Sequence, residues 1–200
     1  KTNLDQFATG LVGTRSPYGE VKNALDPELI SGGSSSGSAV SVALGMAAFS
    51  LGTDTAGSGR VPAALNCLVG YKPSLGAWST KGVVPACASL DCVTVFANSL
   101  EDAEKVNLAA RGVDEECCWS REYKEPLPKL PKKSCLAKDG VTFYGPYEDM
   151  YKAKWEQAKK RIEDMGITVE YIDYTMFSKA ASILYDGPWV AERWKDLGDF

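Results

Sequence analysis

Two short loops built from glycine, serine and threonine constrain this chain more than any other feature. The first, residues 31–38, runs directly into the small-residue stretch 39–48, which is typical of a closely packed, largely buried helix. The second, residues 52–60, follows a short apolar segment and precedes Pro62, which suits the first turn of a helix because its missing N–H would be unpaired there. This order predicts a loop, a helix, a strand, a second loop and a second helix.

The second half of the chain carries a βαβ pattern. Residues 141–144 predict a strand, residues 148–165 an amphipathic helix, and residues 167–172 a second strand that pairs in parallel with the first. Before it, Ser99 begins a capping box for a helix that ends near Gly112. Together these elements indicate the α/β class.

The segment between that helix and the βαβ pattern, residues 114–133, is rich in charge and proline. Pro126, Pro128 and Pro131 all fall within it. Such a composition predicts a surface excursion or a lobe boundary.

Composition and charge exclude several functions. The chain has 200 residues, is 44% apolar, and carries 22 Lys and Arg against 26 Asp and Glu, for a net charge of -4. No global basic field therefore exists to hold nucleic acid or an anionic membrane, and any anionic ligand must be bound by a local feature. The longest apolar stretch, residues 39–51, is too short and too polar to span a bilayer. A start at Lys1 and an end without a turn signal predict a piece of a longer protein.

The chain contains no histidine, which removes the usual general base of serine and cysteine hydrolases. Its six cysteines form no CxxC pair, so neither a zinc site nor a disulfide framework is predicted; we expect reduced, mostly buried thiols. A hydrolase built on this chain needs a base other than imidazole.

Either glycine-rich loop taken alone is more often a simple turn than a site. A phosphate-binding P-loop is excluded at residues 52–60, because Gly59 is followed by Arg60 and Val61 instead of a lysine and a hydroxyl residue. What remains is Ser58 on a tight turn. The N–H groups that can converge there, as an oxyanion hole requires, belong to Thr55, Ala56, Gly57 and Ser58.

Taken together, the loops resemble the amidase signature family. The matching residues are 1–8, 32–39, 52–63 and 70–74, and the resemblance extends to about residue 111. It implies an α/β fold with a mixed, mostly parallel sheet covered by helices on both faces, of which this chain is a fragment. Within that single domain, residues 1–111 would form the core with both serine loops, and residues 112–200 the substrate-side and peripheral elements.

The same resemblance implies a Ser-Ser-Lys mechanism that needs no metal. Ser58 matches the nucleophile and Ser34 the bridging serine on a cis peptide. No lysine here matches the family's catalytic lysine, which is therefore expected upstream of residue 1. Ser35 is expected to donate to that lysine, and Asp54 to pair with Arg60, although the residues alone also allow two solvated loop charges.

Substrate specificity is expected from residues 184–193. The sequence Asp186-Gly187-Pro188 breaks a helical pattern, and the guanidinium of Arg193 has the planar geometry suited to a carboxylate. The residues alone equally allow this segment to be an aromatic-rich helix pair that packs on the core. The segment is similar to one in the allophanate hydrolases of this family, in which the positions of Tyr185 and Arg193 contact a small carboxylated urea.

That similarity implies hydrolysis of allophanate, urea-1-carboxylate, to ammonia and carbon dioxide. It implies no cofactor for this step, with biotin only on a partner urea carboxylase, and a homodimer in the cytoplasm. Two alternatives stay open: a component of a tRNA-dependent amidotransferase, or a non-catalytic anion-binding homologue that has lost its lysine.

Overall fold

A computed structural model describes residues 1–124 and 129–198. Two compact units divide the chain, one of residues 1–124 with 191–200 and one of residues 125–190. The first unit thus runs to residue 124 before the boundary, and the predicted roles of residues 1–111 and 112–200 stay predictions. Pro126 and Pro128 of the predicted surface excursion lie outside the described residues.

The first unit is built on a three-stranded antiparallel sheet. Its strands are β1 (Phe49–Thr53), β2 (Val69–Tyr71) and β3 (Val93–Ala97), in the order β1-β3-β2. The β1–β3 register runs from Phe49 opposite Ala97 to Thr53 opposite Val93. The α/β class is confirmed. Within the described residues this three-stranded sheet is antiparallel, and a second, two-stranded sheet is parallel.

Helices cover both faces of β3, as the resemblance implies. They are α1 (Ser36–Ala43), α2 (Val61–Leu65) and α3 (Leu100–Ala110), preceded by one 3₁₀ turn at Gln6–Ala8. Successive side chains of a strand point to opposite faces. Phe96 therefore packs with Ala39, Val42 and Ala63 of α1 and α2, whereas Val95 and Ala97 pack with Trp78 and with Ala103 of α3.

The second unit contains the predicted βαβ arrangement with its first strand in a different place. Its elements are β4 (Lys133–Ala137), α4 (Glu148–Asp164), β5 (Thr168–Ile172) and α5 (Thr175–Asp186). β4 and β5 pair in parallel, from Lys133 opposite Thr168 to Ala137 opposite Ile172. The prediction of a strand at residues 141–144 is wrong.

The strand forms at residues 133–137 because pairing with β5 outweighs the higher intrinsic strand propensity of residues 141–144. Residues 141–144 are β-branched and aromatic, but they lie between Gly140 and Gly145, both at positive φ (88° and 89°), in irregular chain. β4 has weaker intrinsic strand preference and gains its structure from the β5 ladder, as strand propensity depends strongly on context. The last helix, α6 (Pro188–Leu197), follows α5 after the predicted break at Gly187.

All six cysteines are free thiols, as expected, but most are not buried. Only Cys87 and Cys92 are buried, and Cys67, Cys118 and Cys135 are exposed. Within residues 1–124 and 129–198, no helix combines the length and apolarity needed to cross a bilayer. In the same residues, no cluster of three acidic or cysteine side chains is placed to hold a metal ion.

The capping box of α3 gives a direct test of this part of the fold. The Ser99 hydroxyl accepts from the Asp102 N–H (3.1 Å) and donates to the Asp102 carboxylate (2.7 Å). Ser99→Ala is expected to lower the free energy of unfolding by about 1 kcal/mol because the helix loses its cap. Thermal or urea unfolding measures this effect, with Ser178→Ala on exposed α5 as the control. Equal stability of both variants would contradict the capping role.

Candidate active site

Ser58 lies on the turn that connects β1 to α2. Ser58 is 5% exposed. Hydrogen bonds from the Arg60 and Val61 N–H groups to the Gly57 carbonyl (2.9 and 2.8 Å) close the turn. The backbone at Gly59 passes so close to Thr94 of β3 that a Cβ there would lie 2.9 Å from the Thr94 Cβ. The sheet and the turn together fix the position of the Ser58 hydroxyl.

A buried carboxylate organises this turn. Asp54 is fully buried, and its oxygens accept from the N–H groups of Gly57 (2.7 Å), Gly59 (3.1 Å) and Arg60 (3.2 Å). The Arg60 guanidinium adds a two-point contact at 2.9 and 3.0 Å, so the ion pair expected from the resemblance is present. The Lys72 ammonium donates to the same carboxylate at 3.0 Å.

Two cations and three backbone donors keep Asp54 ionised. Burial by itself raises the pKa of Asp54, but the hydrogen bond and charge of Arg60 and Lys72 outweigh it and lower the pKa to about 2. The contact to Asp54 in turn raises the pKa of Arg60. The sequence motif at residues 70–74 contains Lys72 but indicates no role for it, because only the fold places the end of β2 beside the turn.

One of the four N–H groups of the predicted oxyanion hole already has a partner: the Gly57 N–H donates to Asp54 Oδ1. The N–H groups of Thr55, Ala56 and Ser58 donate to no protein acceptor in the described part of the chain. The turn therefore offers three donors where the sequence predicted four.

Ser34 lies in the other loop, immediately before α1. The Gly33–Ser34 peptide bond is cis. Ser34 is 1% exposed, its carbonyl accepts from the Asp5 N–H (2.9 Å), and its hydroxyl has no hydrogen-bond partner in residues 1–124 and 129–198. Buried hydroxyls are nearly always paired, so an unpaired one indicates a group that a further partner completes.

Asp5 links the Ser34 loop to residues 13–15, because its N–H donates to the Ser34 carbonyl and its carboxylate binds the other segment. It is fully buried, and its carboxylate accepts from the N–H groups of Gly13 (3.0 Å) and Arg15 (2.7 Å). Sequence reasoning recognised residues 1–8 as part of the resemblance but gave Asp5 no role. A carboxylate that binds backbone N–H groups eight and ten residues away leaves no local signature.

The two serine loops lie directly against each other. The Ser35 hydroxyl donates to the Thr53 carbonyl (3.3 Å) and accepts from the Thr53 N–H (3.1 Å). A Cβ at Gly32 would lie 2.8 Å from Pro62 Cα, so only glycine allows this approach. The expected use of Ser35, donation to a lysine, stays a prediction; here its hydroxyl ties the end of β1 to the first loop.

Arg193 is anchored inside the first unit and is not freely solvated. Its Nε donates to the Ala86 carbonyl (2.5 Å) and its Nη1 to the Thr9 hydroxyl (3.0 Å), which leaves Nη2 without a partner in the described part of the chain. The neighbouring Glu192 accepts from the N–H and the hydroxyl of Ser89, both at 2.7 Å. Burial raises the pKa of Glu192, but these hydrogen bonds lower it overall.

Tyr185 belongs to the second unit, near the end of α5, and is 66% exposed. Its predicted contact with a substrate stays a prediction.

The Asp54 cluster predicts a specific loss of stability in acid. Because its folded pKa of about 2 lies below the ordinary 3.8, the ionised carboxylate stabilises the fold above about pH 4, and this contribution disappears as the pH falls toward 2. The shift corresponds to about 2 kcal/mol. The test is urea unfolding of the full-length wild type and of Asp54→Asn, each at pH 7 and at pH 2. The wild type is expected to have the larger free energy of unfolding at pH 7, and its advantage over the variant is expected to shrink by about 2 kcal/mol at pH 2. A difference independent of pH would contradict the assignment.

Known proteins resemble this chain over its whole length. The family model Amidase matches residues 1–198. Urea amidolyase of Lachancea kluyveri is 48% identical over 206 residues, which cover all of this chain and 11% of that protein. The crystal structure of Kluyveromyces lactis allophanate hydrolase superimposes with a TM-score of 0.93 at 48% identity, over all of this chain and 33% of that one.

A more distant neighbour is a component of the glutamyl-tRNA(Gln) amidotransferase of Thermotoga maritima, with a TM-score of 0.86 at 31% identity over 98% of this chain and 44% of that one. The chain thus spans between a tenth and a half of the length of these relatives. The family model and the two serine loops agree: the chain belongs to the amidase family.

Proposed function

We propose that this chain forms the serine-bearing part of the active site of an amide hydrolase. The observation that carries the proposal is the buried, unpaired hydroxyl of Ser34 in a loop that is hydrogen-bonded, through Ser35 and Thr53, to the turn bearing Ser58. Such a hydroxyl suits a proton relay, because a relay group has to accept a proton from one partner and donate a proton to another, and a hydroxyl can do both. Membership in the amidase family supports the same assignment.

In the proposed reaction the Ser58 oxygen attacks the carbonyl carbon of the amide while its proton passes to Ser34, and the Ser34 proton passes to a neutral lysine amine. The N–H groups of Thr55, Ala56 and Ser58 stabilise the oxyanion. The proton then returns through Ser34 to the leaving nitrogen, and the C–N bond breaks to leave an acyl-enzyme. Water, activated by the same relay, attacks the ester and releases Ser58.

The lysine of this relay is proposed to lie upstream of residue 1. Lys72 cannot fill the role because its ammonium is bound to the Asp54 carboxylate, and Lys22 pairs with Glu20 at 3.2 Å. A relay lysine must instead present a free amine, which requires burial away from anions or beside other cations. No metal or organic cofactor enters this mechanism.

The proposed substrate is allophanate, with ammonia and carbon dioxide as final products. Relatives named allophanate hydrolase and urea amidolyase match the whole chain at 48% identity. The free Nη2 edge of Arg193 supports binding of the substrate carboxylate, because a guanidinium recognises an anion where the net charge of -4 gives no general attraction. The assignment of Tyr185 as a second substrate contact rests on the resemblance of its segment alone.

The wider assembly follows from the same proposal. A urea carboxylase, carrying biotin, would supply allophanate as a partner domain or as a separate chain, and the enzyme would act as a homodimer in the cytoplasm. The name urea amidolyase, carried by a relative of which this chain covers only 11%, supports a further domain in such proteins.

Ser58→Ala in the full-length protein is expected to lower kcat for amide hydrolysis by at least about 10⁴-fold, because no other hydroxyl replaces the nucleophile. Folding is expected to be retained, since in the described residues the turn is closed by backbone hydrogen bonds and by Asp54. Steady-state ammonia release measures the effect, with Ser178→Ala as the matched control. Substantial turnover by Ser58→Ala would remove this assignment.

Arg193→Ala is expected to reduce kcat/KM for allophanate about 10- to 100-fold more than for a neutral amide, because one charge-assisted hydrogen bond contributes about 1.5–3 kcal/mol. The assay compares allophanate, malonamate and a neutral amide. Equal losses on all three would show that Arg193 serves only to hold α6 in place. Preference for a neutral amide by the wild type would favour an amidotransferase-like specificity instead.

A further inference from the structure

The β1–β3 register continues beyond both strands into the candidate site. After Thr53 opposite Val93, the Asp54 N–H donates to the Cys92 carbonyl at 2.8 Å. The next residues in this antiparallel order are Thr55, whose N–H is one of the three available donors, and Asp91. The sheet therefore places Asp91 opposite the oxyanion turn.

Asp91 is a buried carboxylate, 4% exposed, that closes a turn of its own. It accepts from the N–H groups of Ala86 (2.8 Å) and Cys87 (3.1 Å), while the Leu90 and Asp91 N–H groups return to the Cys87 carbonyl at 2.9 Å. We call residues 86–91 the Asp91 turn. These bonds leave its carboxylate little freedom to move.

The same carboxylate reaches across to the nucleophile loop. The Thr55 hydroxyl donates to Asp91 Oδ1 at 2.5 Å, the short distance typical of a hydroxyl bound to a carboxylate. Thr55 lies three residues before Ser58. No other side-chain hydrogen bond of the described residues holds the Thr55 hydroxyl. Asp91 therefore holds the Thr55 side chain in place.

The opposite side of the Asp91 turn holds α6. The Ala86 carbonyl accepts from Arg193 Nε (2.5 Å), and Ser89 donates twice to Glu192. A displacement of the Asp91 turn would thus shift the oxyanion donors and the guanidinium of Arg193 together. None of these contacts belongs to the serine relay.

We infer that Asp91 is a positioning residue that aligns the Thr55 N–H with the developing oxyanion and, through the Ala86 carbonyl, sets the Arg193 guanidinium for the substrate carboxylate. The inference rests on the proposed function and adds a residue to which the mechanism above assigns no role. A displaced oxyanion donor lowers catalysis on every amide. A displaced Arg193 weakens only the binding of a carboxylated one.

The test uses the full-length protein with Asp91→Asn, Thr55→Val and the double variant. Asp91→Asn is expected to lower kcat about 10- to 100-fold on both allophanate and a neutral amide, and to raise KM for allophanate alone. Thr55→Val removes the hydroxyl but keeps the N–H, and is expected to reproduce the kcat loss without the KM change. The double variant is expected to be no slower than Asp91→Asn, and Thr55→Ser is expected to restore kcat because it keeps the hydroxyl.

Asp114→Asn is the matched control. Asp114 also accepts from a hydroxyl, that of Ser79 at 2.5 Å, and from a backbone N–H, that of Glu116 at 3.0 Å, but it has no contact with either serine loop in the described residues. It is expected to change thermal stability without changing kcat or KM. If Asp91→Asn and Thr55→Val behave like this control, or if their effects on kcat multiply independently, the inference is wrong.

A second readout separates this inference from the proposed function. An alkyl fluorophosphonate reacts with activated serines, and its phosphoryl oxygen uses the same N–H donors, so Asp91→Asn is expected to slow labelling of Ser58 by a factor similar to the kcat loss. A wild type that is labelled but cleaves no amide refutes the proposed function, and the labelling rates alone then decide on Asp91. A wild type that is neither labelled nor active overturns both.

Discussion

The Asp54 carboxylate is the interaction on which the candidate site depends. Three backbone N–H groups and two cations converge on it from the turn and from the end of β2. A buried charge is tolerated only when such partners replace its lost hydration. Once they do, the carboxylate fixes the turn on both sides of Ser58, at Gly57 and at Gly59. The Gly57 N–H donates to this carboxylate, so three of the four predicted oxyanion donors are left without a protein acceptor in the described residues.

The antiparallel register gives this turn its surroundings. It sets β3 as the central strand, with α1 and α2 packed on one face and α3 on the other. Its continuation past Thr53 brings residues 91 and 92 beside residues 54 and 55. The first serine loop is attached to the same strand end through Ser35. Two loops that are separate in sequence thereby lie side by side.

What the sequence could predict was what its local patterns encode. Glycine-serine loops, Pro62 and the Ser99 capping box have short-range causes, and the corresponding elements were found. The partners of buried groups have no such pattern: Asp5, Lys72 and Asp91 act on atoms far along the chain. The same limit explains the wrong prediction of a strand at residues 141–144, since residues 133–137, for which no strand is predicted, pair with β5 instead. It also explains the exposed cysteines, whose burial depends on packing that no spacing reveals.

The absence of histidine and the two lysine environments lead to one conclusion about the base. A lysine held against a carboxylate, as Lys72 is held against Asp54, is fixed as a cation and organises structure. A lysine that accepts a proton must instead present a neutral amine, which requires burial away from anions or a position beside other cations. Within the described residues the Ser34 hydroxyl is buried and unpaired, and so is of the kind such an amine would complete. In the proposed mechanism the two uses of lysine differ in their surroundings: Lys72 lies against an anion, whereas the relay lysine would lie beside the Ser34 hydroxyl.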